Sequence, residues 1–450
     1  MIIQSKNKYI FLIIITFLTV RLITTSIFNI SLDEKWLFGL WQHINKNYLE
    51  DNLFFSILLF HAQPPIWNLI LGFGVILENY IQLNLYVSLI NISISLIILY
   101  CSHHILKIFN FKKIQIFFII LFLIILSPSI LFYENFASYA HFTCVLIFVL
   151  KLNFLKILRK YKLKYELQIY SCSTLLILTW SAYIIYFNVL IFLLLLPLII
   201  KKKRFIKSLI IFIIFFTLGA FPSIKNKILF NIFSNSSWTG LNAAQATGYD
   251  REEWPLCSFN NDNMKDYNRE YKNFLKNKKF LNEKILNDNS YNDLGYIYKS
   301  INCDKKSKKY LLANFSDITK QKIQRFIAVH AHLSFDFAFK PNNWNKSFLI
   351  LEKLNNNFYF KVFVITFFAI NYLFYIYLII NTFLKRNSDI SSYFLIINLI
   401  TYSYLLFVSF YGSTWEQERM RYTGYSFIFI SASILCQKIL FYYQKVKNVT

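Results

Sequence analysis

Long apolar runs separated by short polar segments make up most of this chain of 450 residues. YIFLIIITFLTV, IQIFFIILFLIIL, VLIFLLLLPLII and SLIIFIIFFTLGAF are representative. Several such stretches exceed the roughly 18 residues that a helix needs to cross a bilayer. The pattern predicts an all-α polytopic membrane protein with about ten transmembrane helices, near 9–30, 83–105, 114–132, 136–154, 168–183, 184–200, 205–222, 358–383, 391–410 and 424–441. The stretch 66–77 is apolar too, but about a dozen residues is the length of an interfacial or re-entrant helix. The hydrophilic stretch 223–357 is expected to be an inserted exported domain of mixed or unknown structure. It divides an N-terminal membrane region, 1–222, from a C-terminal one, 358–450, and the loop 31–82 is the longest outer segment of the first.

Composition sharpens this picture. Hydrophobic residues are 56% of the chain and charged ones 16%, against roughly a quarter charged in an ordinary soluble domain, which excludes a plain soluble enzyme. A net charge of +25 in a soluble chain would suggest nucleic acid; here its placement matters more than its sum, and no nucleic-acid partner is expected. With 66–77 held at the outer surface, Lys107, Lys112, Lys113, Lys151, Lys156, Arg159, Lys160, Lys162 and Lys164 all fall inside, as the positive-inside rule requires. The short outer loops then hold only Lys35, Lys46, Arg419 and Arg421, and both termini are cytoplasmic. The opening MIIQSKNK and its apolar run resemble a signal peptide, yet the run is long, contains Arg21 and lacks an A-x-A-like site. It is expected to be a retained first span.

Cys101, Cys144, Cys172 and Cys436 lie in or beside spans and suit packing. Cys257 and Cys303 lie in the exported stretch, where an oxidising compartment permits either a disulfide or two thiols. No spacing diagnostic of a zinc site occurs.

Once sidedness is set, the unusual polar residues gather on the outer face. Asp33 and Glu34, in SLDEKW, follow the first span. They fit solvated loop acids, or a base that takes a proton from an acceptor hydroxyl, with each carboxylate raising the other's pKa. In HAQPPIW, His61 precedes Pro64 and Pro65 at the entry to the short helix, placed either to bond a phosphate oxygen or to cap the segment; proline costs nothing in a first helical turn. Glu134 stands between two spans among Tyr133, Asn135, Tyr139 and His141. An acid at that depth is a functional candidate or a snorkelling side chain. YGSTWEQERMRYT carries Glu416, Glu418, Arg419 and Arg421, either a binding fork for an anionic head group or a salt-bridge network. Arg21, about 18 Å along a helix from Asp33, is expected to snorkel outward, with a lipid phosphate or an intramembrane partner as the alternatives. In the exported stretch, Trp238, Asn242 and Gln245 suit a sugar or a plain connector, and His330 with His332 is a poor metal pair.

At these motifs the chain resembles the GT-C superfamily of polytopic glycosyltransferases, particularly the protein O-mannosyltransferase and aminoarabinose transferase branch. The likeness covers about 1–222 and 358–443 and rests on the order and sidedness of Asp33 and Glu34, His61 with Pro64 and Pro65, Glu134, and Glu418 with Arg419 and Arg421. The resemblance implies transfer of a sugar from a polyprenyl-phosphate donor to a protein, lipid or glycan acceptor on the outer face. Asp33 would be the base, Arg419 or Arg421 would stabilise the departing phosphate, and Glu34, His61, Glu134 and Glu418 would complete the site. No organic cofactor is implied; a divalent cation between the outer acids and phosphate stays open. The setting expected is a bacterial inner membrane. A transporter of lipid-linked saccharides, a polymerase or ligase centred on Arg325, His330 and His332, and a membrane scaffold are the other classes considered.

Overall fold

The computed structural model describes residues 3–32, 35–38, 43–247, 295–330, 353, 357–384, 390–411 and 417–447. Every regular element among them is helical. In chain order these are α1 (Ile3–Phe28), α2 (Lys35–Phe38), α3 (Lys46–Leu59), α4 (Ile66–Ile76), α5 (Leu83–Ile108), α6 (Lys113–Ile120), a π-helical turn (Leu121–Ile125), α7 (Pro128–Glu134), α8 (Tyr139–Arg159), α9 (Leu163–Thr179), α10 (Tyr186–Lys201) and α11 (Phe205–Phe230). They continue with α12 (Thr239–Thr247), α13 (Gly295–Ala313), α14 (Phe315–His330), α15 (Phe358–Leu384), α16 (Ile390–Tyr411), α17 (Gln417–Thr423) and α18 (Tyr425–Lys447).

Helices stand at all ten positions that hydropathy singled out. Among the described residues, Lys8–Phe28, Leu83–Ile108, Tyr139–Arg159 and Phe205–Phe230 are long and apolar enough to cross a membrane, and the bent pair Lys113–Ile125 with Pro128–Glu134 brings the number to five where it is counted as one span. The helix α4, Ile66–Ile76, is short, as its length predicts. Burial orders the bundle: 78% of the most apolar window of α8 is buried, against 17% for α1 and 22% for α11. Thus α8 is the central post, packed against α5, α7, α9, α16, α17 and α18. The outward rows of α1 and α11, with Leu22, Ile27, Ile206 and Ile228 exposed, are suited to lipid, the only solvent in which such a belt is stable.

The break at 120–128 has a local cause. Pro128 lacks an N–H and occupies the first position of α7, so the ladder ahead of it cannot continue. Ser127 caps the new helix, its Oγ accepting from Ile130 N at 3.4 Å, and the two halves meet at 55°. In lipid a freed carbonyl needs a donor. The Arg21 guanidinium donates to Ile125 O at 2.9 Å and the Tyr425 hydroxyl to Leu123 O at 2.7 Å.

Polar residues sort to the two ends. At one end Lys113 sits over the Tyr9 ring (5.0 Å), Arg204 over Tyr161 (5.3 Å), and Arg159 binds the Ile108 carbonyl. Lys112, Lys160 and Lys201 are exposed there. The opposite end gathers the segments 43–82, 134–139, 180–185, 231–238 and 417–424. Alternating helices therefore deliver the basic loops to one end and His61, Glu134 and α17 to the other.

In the stretch 223–357, α11 runs on to Phe230 with Pro222 inside it. After the loop 231–238 the described elements are again helical, and α12 and α14 pack on α16. Trp238 stacks near Tyr296 with ring centroids 5.4 Å apart, and Gly240 lets α12 and α13 touch: a Cβ there would lie 1.9 Å from the Ser300 carbonyl oxygen. Gly240→Ala is expected to destabilise this pair by about 1–3 kcal/mol. Thermal unfolding in detergent checks it, and an unchanged midpoint would mean that the two helices do not pack this closely. Cys303 is buried and disulfide-bonded. Its partner lies outside the described residues, as does Cys257, the partner considered from sequence.

Candidate functional site

The polar end is built from backbone contacts between outer segments. Chain 60–63 is held from three sides: Lys225 binds the Phe60 carbonyl, Ser236 donates to Ala62 O at 2.5 Å, and Gln63 Oε1 accepts from Ser181 N at 3.3 Å. Asn235 donates to Tyr183 O at 3.0 Å and Tyr404 to Ala182 O at 2.9 Å. Segments far apart in sequence are thereby fixed to one another before any ligand is considered.

His61 belongs to this lacing. Its Nδ1 lies 2.7 Å from Ser237 Oγ, its carbonyl accepts from Ser237 N at 2.9 Å, and Phe230 meets its ring edge-on at 5.1 Å. At 1% exposure it fastens 60–63 to 234–238; it does not cap α4, whose N-cap is Pro65 with no side-chain cap bond.

Glu134 and Arg21 are partners. Arg21 Nε donates to Glu134 Oε1 at 2.7 Å, Ser95 Oγ to Oε2 at 2.5 Å, and Asn91 Nδ2 to the Glu134 carbonyl at 2.9 Å. Both charged side chains are buried, so the outward snorkelling expected for Arg21 gives way to its alternative, an intramembrane partner. The broken span explains the choice, because it brings an acid and an orphan carbonyl to the same guanidinium.

Arg419 and Arg421 are both buried as well. Arg419 Nη1 donates to the Tyr139 hydroxyl at 3.1 Å, and the guanidinium lies 5.9 Å from that ring, which packs on Trp180 at 5.3 Å. Arg421 is within electrostatic reach of Tyr372 and Tyr402, whose hydroxyls are 2.7 Å apart. Glu418 lies on α17, but its side chain is outside the described set. Asp33 and Glu34 also lie outside it, between the buried Leu32 and α2, in which Leu37 is buried.

His43, which the sequence reading passed over, joins two parts of the first outer loop within electrostatic reach of Arg419. Its Nδ1 donates to Leu37 O at 2.7 Å and its Nε2 accepts from Trp67 Nε1 at 3.1 Å, so the imidazole is neutral. Burial pushes its pKa from 6.5 to about 4, opposed by the Leu37 bond and reinforced by the charge of Arg419. The folded state therefore binds this proton less tightly than the unfolded chain, and stability is full above pH 6.5 and lost as pH falls through 4. The loss at full protonation is about 3 kcal/mol, because a protonated Nε2 can no longer accept from Trp67. Unfolding free energies measured from pH 7.5 to 4 should fall more steeply in the wild type than in His43→Gln; parallel curves would remove His43 as the cause.

Among the described residues no three His, Cys, Asp or Glu side chains come together as a metal site. Sequence reasoning also missed Lys225, Ser95 and Tyr422. Ser95 was open to detection: Asn91 and Ser95 are one helical turn apart in α5, a spacing that puts both on one face. No protein-family model, curated protein or solved structure matches the chain.

Proposed function

We propose that this protein is a membrane glycosyltransferase that moves a sugar from a polyprenyl-phosphate donor to a protein, lipid or glycan acceptor on the outer face of a bacterial inner membrane. In this reading all ten apolar helices cross the bilayer, both termini are cytoplasmic, and 223–357 is exported. The observation that carries it is convergence: the chain beside Asp33 and Glu34, the His61 element, Glu134 and the α17 arginines gather at the end of the bundle opposite the basic loops. Nucleotide sugars are cytoplasmic, so a site at the other surface draws its donor from a lipid carrier.

Asp33 is the base, taking the acceptor hydroxyl's proton as the oxygen attacks the anomeric carbon and the phosphate leaves with its electron pair. Glu34 orients the acceptor, while Arg419, Arg421 and Glu418 hold and neutralise the departing phosphate. His61 and Glu134 act by fixing the segments that shape the site. Any divalent cation would sit between the outer acids and the phosphate.

The supporting experiment is transfer of labelled sugar from polyprenyl-phosphate donors by the purified protein in liposomes. A transporter of lipid-linked saccharides is the second reading, favoured by the Arg21–Glu134 pair and by Lys151, buried within α8 and 6.0 Å from the Phe427 ring, since ionisable groups at membrane depth mark transport paths. No transfer from any donor, with movement of a lipid-linked saccharide across the vesicle, would favour that reading.

A further inference from the structure

A continuous hydrogen-bond chain leads inward from α17. The Tyr422 hydroxyl lies 2.6 Å from His141 Nδ1, His141 Nε2 lies 2.9 Å from Ser95 Oγ, and Ser95 Oγ lies 2.5 Å from Glu134 Oε2. All four residues are buried, and they come from four helices, α17, α8, α5 and α7. The proton positions follow from one backbone group. His141 Nε2 is also 3.2 Å from the Asn91 carbonyl, which can only accept, so Nε2 carries hydrogen and Nδ1 of the neutral ring accepts from Tyr422. Ser95 then receives from Nε2–H and donates to the carboxylate. Every donor in the chain points toward Glu134, whose other oxygen is neutralised by Arg21.

We propose that Tyr422, His141 and Ser95 form a proton relay from α17 to Glu134. The inference goes beyond the transferase reading and does not depend on it. In one passage, Tyr422 gives its proton to His141 Nδ1, His141 gives its Nε2 proton to Ser95, and Ser95 gives its own to Glu134 Oε2. A water or a ligand hydroxyl beside α17 supplies the replacement proton to the Tyr422 oxygen. Net, one proton leaves that outer group and Glu134 becomes neutral, while Arg21 keeps its bond to the Ile125 carbonyl. The other titratable groups facing the chain are Tyr133, Cys144 and Tyr425, all neutral as phenols or thiol, so Arg21 supplies the fixed charge. Tyr133 stacks on Tyr422 with centroids 4.0 Å apart at 17°, which holds the phenol in line.

The test needs no sugar substrate. The full chain in lipid vesicles is stepped to acid, and the infrared stretch of the protonated Glu134 carboxyl, assigned by its loss in Glu134→Gln, is followed in time. His141→Gln keeps a donor and an acceptor but cannot pass a proton on, and Tyr422→Phe keeps the ring stack. Both are expected to slow appearance of the band at least tenfold, with its pH midpoint and the melting temperature unchanged. An unchanged rate would overturn the relay. So would a rate change matched by equal shifts in midpoint and melting temperature, which would make the chain a clamp, or the absence of any carboxyl band before unfolding.

Discussion

Arg21→Gln is expected to lower the unfolding free energy by about 3–5 kcal/mol, the largest stability effect of any single substitution in the bundle. Two losses combine. The Glu134 carboxylate keeps only Ser95 as a side-chain donor, and the Ile125 carbonyl, freed by the break before Pro128, loses its own donor. Glu134→Gln should cost a similar amount, because it leaves the guanidinium buried without a counter-charge. The double variant Arg21→Gln with Glu134→Gln removes both charges, and its loss should be smaller than the sum of the single losses. It should not recover fully, since Ile125 O stays unsatisfied at a cost of about 1–3 kcal/mol. Unfolding of the four proteins in one detergent gives the coupling directly. Additive losses would mean that the 2.7 Å contact contributes no pairwise energy.

That pair also marks where sequence reasoning reached its limit. Apolar runs and basic loops located the helices and separated the two ends, because hydropathy and charge act locally along the chain. The candidate residues were found for the same reason: an acid, a histidine or an arginine in an apolar setting stands out without knowledge of its partners. What the residues do to one another was not readable. Glu134 meets Arg21 only because Ser127 and Pro128 bend the third apolar segment; the proline marks a break in the sequence, but not the direction of the bend or the partner it brings close. His61 finds Ser237 across 176 residues, a partner no spacing rule supplies. His43 was overlooked because it lies among polar loop residues, whereas its neutral state depends on burial beside Trp67 and Arg419. Glu134 and His61 are both engaged by protein partners at the outer end. The weight of the proposed chemistry thus shifts to Asp33, Glu34 and the two arginines of α17.

Asp33→Asn is expected to reduce sugar transfer by about 10²–10⁴-fold, the usual contribution of a positioned base. Binding of the lipid donor should persist, since the amide keeps the size of the side chain and the α17 arginines are untouched. The most direct measurement is therefore transfer of labelled sugar from polyprenyl-phosphate donors in liposomes holding equal amounts of the wild type or Asp33→Asn. Transfer by the wild type and its near-complete loss in the Asn form is the predicted result. Full transfer by Asp33→Asn would contradict the assignment of the base, and no transfer by the wild type from any donor would contradict the glycosyltransferase itself.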